Sequence, residues 1–243
     1  MHRISHISAF IAKIWHRLLK IIFGEKYFTN AYAQEGEDIL LNRIFNNKSE
    51  GFYIDIGAHH PKRFSNTYLF YKKKWKGLNI DAMPGSMRAF SKKRPRDINV
   101  ELAVMEQRGI ATYFKFNDPA LNGFSEQISL ARNGFLGHVI EDRIEIEGQP
   151  LFEILNQYMP KDSLIDFMTI DVEGMDFEVL RSNDWSRYRP KLVLVEILVS
   201  TLEDILLHPI YSYMKLQGYT IHAKTLNTVF FIDKKYITEN SLS

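Results

Sequence analysis

The chain contains no cysteine, which excludes a disulfide scaffold, a thiolate metal site and a cysteine nucleophile, and fits a reducing, cytoplasmic compartment. It lacks a long apolar run: charges interrupt every window of about 18 residues that a membrane-spanning helix would need. It has no internal repeat and no low-complexity tract. Charge of one sign is scarce as well, with 31 basic against 29 acidic residues and a formal net charge of +2. Residues 1–26 hold a net +4 of that, so the body is mildly acidic and a poor platform for nucleic acid, whose binding rests on phosphate neutralisation. The Gly-x-Gly-x-x-Gly signature of dinucleotide-binding loops is also missing. What remains is ordinary for a folded domain: 243 residues, 45% apolar and 25% charged, suited to one α/β domain with appendages.

The informative stretch is residues 51–86. Phe52 to Ile56 is a short apolar run that stops at Gly57, as a buried parallel strand does where it feeds a loop. Ser65-Asn66-Thr67 can cap a following helix, Tyr68 to Lys73. Gly77 to Ile80 reads as a second strand, and it ends on Asp81, 24 residues after Gly57. This is the βαβ nucleotide layout, in which a glycine admits the ligand and an acid on the next strand accepts the ribose hydroxyls. The loop itself is Asp55-x-Gly57-x-His59-x-Pro61, one glycine with an acid at its head. An acid there repels a pyrophosphate and suits a ligand with an ammonium group. S-adenosylmethionine has that group, a ribose and no phosphate. The alternative is a bare α/β sheet whose Asp55 only caps the loop.

The run Tyr53-Ile-Asp-Ile-Gly-Ala-His-His-Pro61, with Ser65-Asn66-Thr67, Asn79-Ile-Asp-Ala-Met-Pro84 and Ile170-Asp-Val-Glu-Gly174, resembles the FkbM family of S-adenosylmethionine-dependent methyltransferases from about Tyr32 to Phe231. The resemblance implies a class I methyltransferase fold: a Rossmann-like, mostly parallel sheet with a terminal antiparallel hairpin. It also implies S-adenosyl-L-methionine as cofactor and an acceptor hydroxyl on a polyketide, a glycan or a related product, as in polysaccharide biosynthesis. Cofactor contacts fall on Asp55, Gly57, Ala58, His59, Asn66, Asp81, Ala82 and Glu101, the last on a third strand expected from Ile98 to Val104 and either an adenine-side contact or simply a half-exposed strand acid. The family has a stretch similar to Gln34-x-Gly36-x-Asp38, which suggests that Gln34 or Asp38 closes over the cofactor. Many members carry a lysine where this chain has Thr169, so no role for such a lysine transfers here.

Elsewhere the chain divides into an N-terminal segment, 1–30, and the domain, 31–243. Ile4, Ile7, Ile11, Ile14, Leu18 and Ile21 form a stripe along one helical face, with Arg3, Lys13, Arg17 and Lys20 beside it. Such a basic amphipathic helix suits the inner surface of an anionic membrane, or equally packing on its own domain or in a homo-oligomer. A cleaved signal is not expected, because the longest uncharged run is short and no small-residue cleavage site follows. Residues 105–150 break the βα rhythm and read as an acceptor-binding insertion, with Asn122, Ser125 and His138 as polar contacts. His138 is either a general base or a packing residue. After a helix from Leu151 to Tyr158, a buried strand from Leu164 ends in Asp171-Val172-Glu173-Gly174, which should face Asp55 and Gly57 beyond the strand ends. Two carboxylates there raise each other's pKa, which suits Asp171 or Glu173 to proton abstraction; the alternative is that they only cap the loop or the following helix. No metal site is expected, since adjacent His59 and His60 on an extended loop point apart. The function expected is O-methylation of a glycan, glycolipid or small-molecule hydroxyl. The alternative is a catalytically silent nucleotide-binding domain acting as sensor or assembly partner, and the missing glycines count against an NAD-dependent oxidoreductase.

Overall fold

Apolar runs with both neighbours buried predict strands covered on two faces, and the computed structural model, which describes residues 29–240, shows them. The chain divides into two units, Met1–Ala31 and Tyr32–Ser243, and the described elements belong to the second. The basic stripe of residues 1–26 lies outside the described residues. The first half of the domain is α1 (Glu37–Ile44), β1 (Phe52–Ile56), α2 (Tyr68–Lys72), β2 (Lys76–Asp81), α3 (Met87–Lys93) and β3 (Ile98–Glu101). An insertion follows: β4 (Ala103–Val104), β5 (Gly109–Phe116), a 3-10 turn (Pro119–Leu121), α4 (Glu126–Arg132), a second 3-10 turn (Phe135–Gly137) and β6 (Ile140–Gln149). The second half is α5 (Leu151–Tyr158), β7 (Phe167–Ile170), α6 (Asp176–Arg181), β8 (Leu192–Glu196), α7 (Leu202–Leu207), α8 (Pro209–Leu216), β9 (Tyr219–Lys224), β10 (Thr228–Asp233) and α9 (Lys234–Asn240).

Among the described residues a seven-stranded sheet runs in the order β3-β2-β1-β7-β8-β10-β9. The first five strands pair in parallel, and β10 then joins β8 and β9 antiparallel. The fold is therefore α/β and mostly parallel, with the terminal hairpin the sequence led one to expect. Successive residues on a strand face opposite sides, so each run feeds two cores. Ile54, Met168, Val193 and Phe231 pack against Ile154 and Leu155 of α5, Leu180 of α6 and Met214 of α8. Their neighbours Tyr53, Phe167, Leu192 and Phe230 pack on the other side with Leu41 of α1, Phe70 of α2 and Trp75.

Two expected strands are shorter than the sequence suggested. The run from Ile98 to Val104 breaks at Leu102: β2 ends at Asp81, Leu102 N–H donates to the Asp81 carbonyl, and Ala103–Val104 leaves to pair in parallel with β6 in a separate three-stranded sheet. The run from Leu164 is a regular strand only from Phe167, although Asp166 already bonds through its backbone to Phe52 and Leu192 while its buried carboxylate takes Lys48, Lys191 and the Phe52 N–H. The helix after Gln34 begins at Glu37, and the long helix from Leu202 is interrupted at His208-Pro209 as its proline requires.

Candidate functional site

The carboxyl ends of β1, β2, β7 and β8 open into one cavity of about 490 Å³. Gly57 makes this convergence close. Its φ of +79° is a conformation that favours glycine, and a Cβ there would stand 1.8 Å from the Asp171 carbonyl oxygen. The N–H groups of the loop are already used. Gly57 and Ala58 both donate to the Ile80 carbonyl, His59 donates to Asp81 Oδ2 at 2.8 Å, and His60 donates to the Ala58 carbonyl. No row of backbone donors is left to cradle a diphosphate.

The walls gather most of the residues singled out from the sequence. Asp55, Gly57, Ala58, His59, Asn66, Asp81, Ala82, Asn122, His138, Asp171 and Glu173 all line the cavity. Asp55 receives the Thr67 hydroxyl on Oδ2 at 2.5 Å. Asn66 Nδ2 donates to Thr169 Oγ1 at 2.9 Å, tying the loop after β1 to β7. Asp81 takes the His59 N–H on one oxygen and the Met83 N–H on the other, both at 2.8 Å, and burial raises its pKa against those hydrogen bonds. His60 does not line the cavity; its Nδ1 accepts the N–H groups of Lys62 and Arg63.

Three expected contacts are not brought to the cavity in a free state. Glu101 is on the far side of the strand end, exposed, and accepts the Gly85 N–H at 2.8 Å; Leu102, the next residue, lines the wall instead. Ser125 caps α4 by accepting the Ile128 N–H. Asn122 reaches the wall, yet its side chain is engaged by the Phe116 N–H and the Met83 sulfur. At the mouth Gln34 lines the cavity, whereas Asp38 is buried and holds the N–H groups of Tyr32 and Ile39.

The acidic loop after β7 is the electrostatic centre. Asp171 opens toward the cavity but protein surrounds it closely, and that enclosure, with Glu196, Glu173 and Asp55 nearby, holds its carboxyl well above the usual range. Glu173 has the left-handed φ of +54° and an ion pair with Arg132 of α4 at 2.5 Å; enclosure still raises its pKa against that partner. Asp176 accepts the N–H groups of Val172 and Gly174, and burial followed by Asp171 pushes it up to about 8. Glu196 at the end of β8 is also pushed up to about 8, by burial and then by Glu173 and Asp176. The insertion clamps onto this loop. A Cβ on Gly123 would lie 2.9 Å from the Glu173 Cβ, and one on Gly174 2.2 Å from Ile128.

Arg132, Glu196 and Tyr113 were not singled out in the sequence as site residues, and Thr67 only within the Ser65-Asn66-Thr67 cluster. Arg132 was findable: Ser125 followed by Glu126 is an N-cap signal for the helix that carries it. Tyr113 of β5 lines the wall with its hydroxyl pKa raised by burial and then by Asp81. Among the described residues no group of three or more histidines, cysteines or acids has metal-holding geometry, and no helix is long and apolar enough to cross a membrane.

Residues 55–221 match the family model described as the methyltransferase FkbM domain. No curated protein matches the chain significantly. Among solved structures, a TehB-like S-adenosylmethionine-dependent methyltransferase from Corynebacterium glutamicum aligns at 11% identity and a TM-score of 0.41, over 95% of this chain and 100% of its own. A precorrin-6y C5,15-methyltransferase from Geobacter metallireducens aligns at 13% identity and a TM-score of 0.41, over 86% and 93%.

Proposed function

The chain belongs to the FkbM methyltransferase family, and from that premise we propose that it transfers a methyl group from S-adenosylmethionine to a hydroxyl of a glycan, a glycolipid or a related secondary product. The observation that carries this reading is the facing of two kinds of acid in one cavity: Asp55 and Asp81 at the ends of β1 and β2, and the Asp171–Glu173 loop packed onto Gly57. The donor set fits the cofactor. Asp55 offers a carboxylate to an ammonium group, Asp81 offers oxygens to ribose hydroxyls, and Leu102 and Val104 offer apolar wall to an adenine ring. The consumed N–H groups of the Gly57 loop fit a ligand without phosphate.

When bound, the sulfonium donor supplies a methyl group activated for displacement. The protein has to align the acceptor oxygen with that methyl and take the hydroxyl proton as the new bond forms. Asp171 is the proton acceptor in this reading, because its raised pKa brings it nearer the working pH than an ordinary carboxylate. A sugar hydroxyl is a weak acid, so alignment carries much of the rate. Arg132 holds Glu173 and leaves Asp171 as the carboxylate without an ion pair in the loop. The insertion of residues 105–150 supplies the acceptor wall through Tyr113, Phe124 and His138.

Calorimetry with S-adenosylmethionine, followed by transfer of a radiolabelled methyl group to fractions of a glycan-precursor extract, tests the reading. Binding and transfer to an alkali-stable ether are expected. Binding without transfer to any fraction would assign the silent, sensing alternative instead.

A further inference from the structure

Beneath the cavity floor lies a buried polar network that the reaction outlined above does not use. Arg94 follows α3 and is 0% exposed, as is the side chain of its ion-pair partner Asp97, with Nε 2.8 Å from Asp97 Oδ2. Arg94 Nη2 donates to the Tyr53 hydroxyl at 2.7 Å and to Thr67 Oγ1 at 2.9 Å; Nη1 donates to Ser65 Oγ at 3.3 Å. Tyr53 donates onward to Asp97, which also accepts Gly77 N–H and Asn79 Nδ2. The rings of Tyr53, Tyr71 and Phe90 surround the guanidinium. A fully buried ion pair of this kind adds little net stability compared with an apolar core of the same volume. Its placement therefore needs a reason other than stability.

The hydrogen-bond directions give one. A guanidinium only donates, so Thr67 Oγ1 must accept from Arg94 and has its single hydrogen free to donate. It donates to Asp55 Oδ2 at 2.5 Å. The chain Arg94 to Thr67 to Asp55 thus has one fixed polarity. It claims Oδ2 as an acceptor and leaves Oδ1 to the cavity. We infer that Arg94 and Thr67 are positioning residues that hold Asp55 as an oriented, ionised carboxylate for the ammonium end of the methyl donor. This rests on the donor assigned above, but the state of Asp55 itself can be read without any ligand.

Burial is the strongest influence on Asp55 and raises its pKa; Arg94 counters it in favour of the ionised form, while Asp97, Asp81 and Asp171 add to the rise. The Thr67 hydroxyl adds to the favourable side. Removing it raises the pKa of Asp55, so a binding step that needs the carboxylate loses affinity at a higher pH than before.

The test uses the full chain with Thr67→Val, Thr67→Ser and Arg94→Met. Side-chain carboxyl titration by carbon-13 NMR without ligand, and S-adenosylmethionine affinity by calorimetry between pH 5 and 9, are the two readouts. Thr67→Val should bind about tenfold more weakly at pH 7, as loss of one hydrogen bond to a charged group implies. Its acid limb and the Asp55 titration should both move up in pH, and Thr67→Ser should restore both. Arg94→Met should move them in the same direction; should it fail to fold, Thr67→Val decides alone. Unchanged affinity with an unmoved Asp55 titration in Thr67→Val overturns the inference. If the wild-type protein does not bind S-adenosylmethionine, the donor assignment fails separately, and the NMR titration still decides whether Thr67 and Arg94 hold the carboxylate.

Discussion

Two acids with the same chemistry are set apart by what already binds them. Asp81 holds two backbone N–H groups with its oxygens while it faces the cavity, which in the proposed reading fixes it as an acceptor for the ribose hydroxyls. Asp81→Asn should weaken S-adenosylmethionine by about tenfold or more in calorimetry, because an amide cannot replace a charged acceptor of hydroxyl groups. The fold should remain, judged by circular dichroism. Asp171 has no such pair of backbone N–H groups on its carboxylate, and its pKa is raised, by burial first. Asp171→Asn should leave donor affinity near wild type and slow transfer by about 10²–10⁴-fold, the usual range for a general base. Single-turnover kinetics separate the two effects. The wild-type rate should rise with pH as Asp171 loses its proton. In Arg132→Ala the loss of the cation that lowers the acid pKa values should carry that rise to higher pH. An unmoved rise would remove Arg132 from the electrostatics of the site.

At the level of elements, the fit depends on two glycines that let neighbouring segments touch. Gly57→Ala would drive a Cβ into the Asp171 backbone, which cannot swing away as a side chain can. Gly174→Ala would press on the end of Ile128, which can turn aside, and would hold an alanine at a φ of +95°. Urea denaturation should therefore show a loss of about 3 kcal/mol or more for the first and about 1–2 kcal/mol for the second. Donor binding should vanish only in the first. The strand ends that bear these residues were legible in the sequence because apolar runs that stop at Gly57, Asp81 and Asp171 are a one-dimensional signal. Leu151 to Tyr158 was legible for the same reason, with Pro160 closing it. Glu101 was misplaced because nothing local says where a parallel strand loses its partner; that is decided by where β2 ends. Thr67 and Arg94 lie 27 residues apart and meet only through the packing of α3 on the sheet, so no spacing rule reveals their bond. Arg132 reaches Glu173 over 41 residues in the same way.

For the molecule as a whole, the crowded acids impose a pH dependence on folding. Glu196 is raised from 4.5 to about 8, so the folded state holds its proton more tightly than the unfolded chain does. That contribution is fully present below pH 4.5 and is lost as pH rises through about 8; Asp176, also at about 8, adds to the same slope. Glu196→Gln should therefore be more stable than wild type at pH 8.5, by on the order of 1–2 kcal/mol, and close to it at pH 5. Urea midpoints at the two pH values check this, and equal slopes would refute it. The strand order has a further consequence for biosynthesis. β1 sits between β2 and β7, yet β7 leaves the ribosome 111 residues after β1 is complete. At translation speeds of about 5–20 residues per second, one flank of the nascent Phe52–Ile56 segment stays without its hydrogen-bonding neighbour for roughly 6–20 s. A newly made chain halted before β7 would display a sticky ribbon, so its solubility in the cell should depend on chaperones far more than that of the finished enzyme.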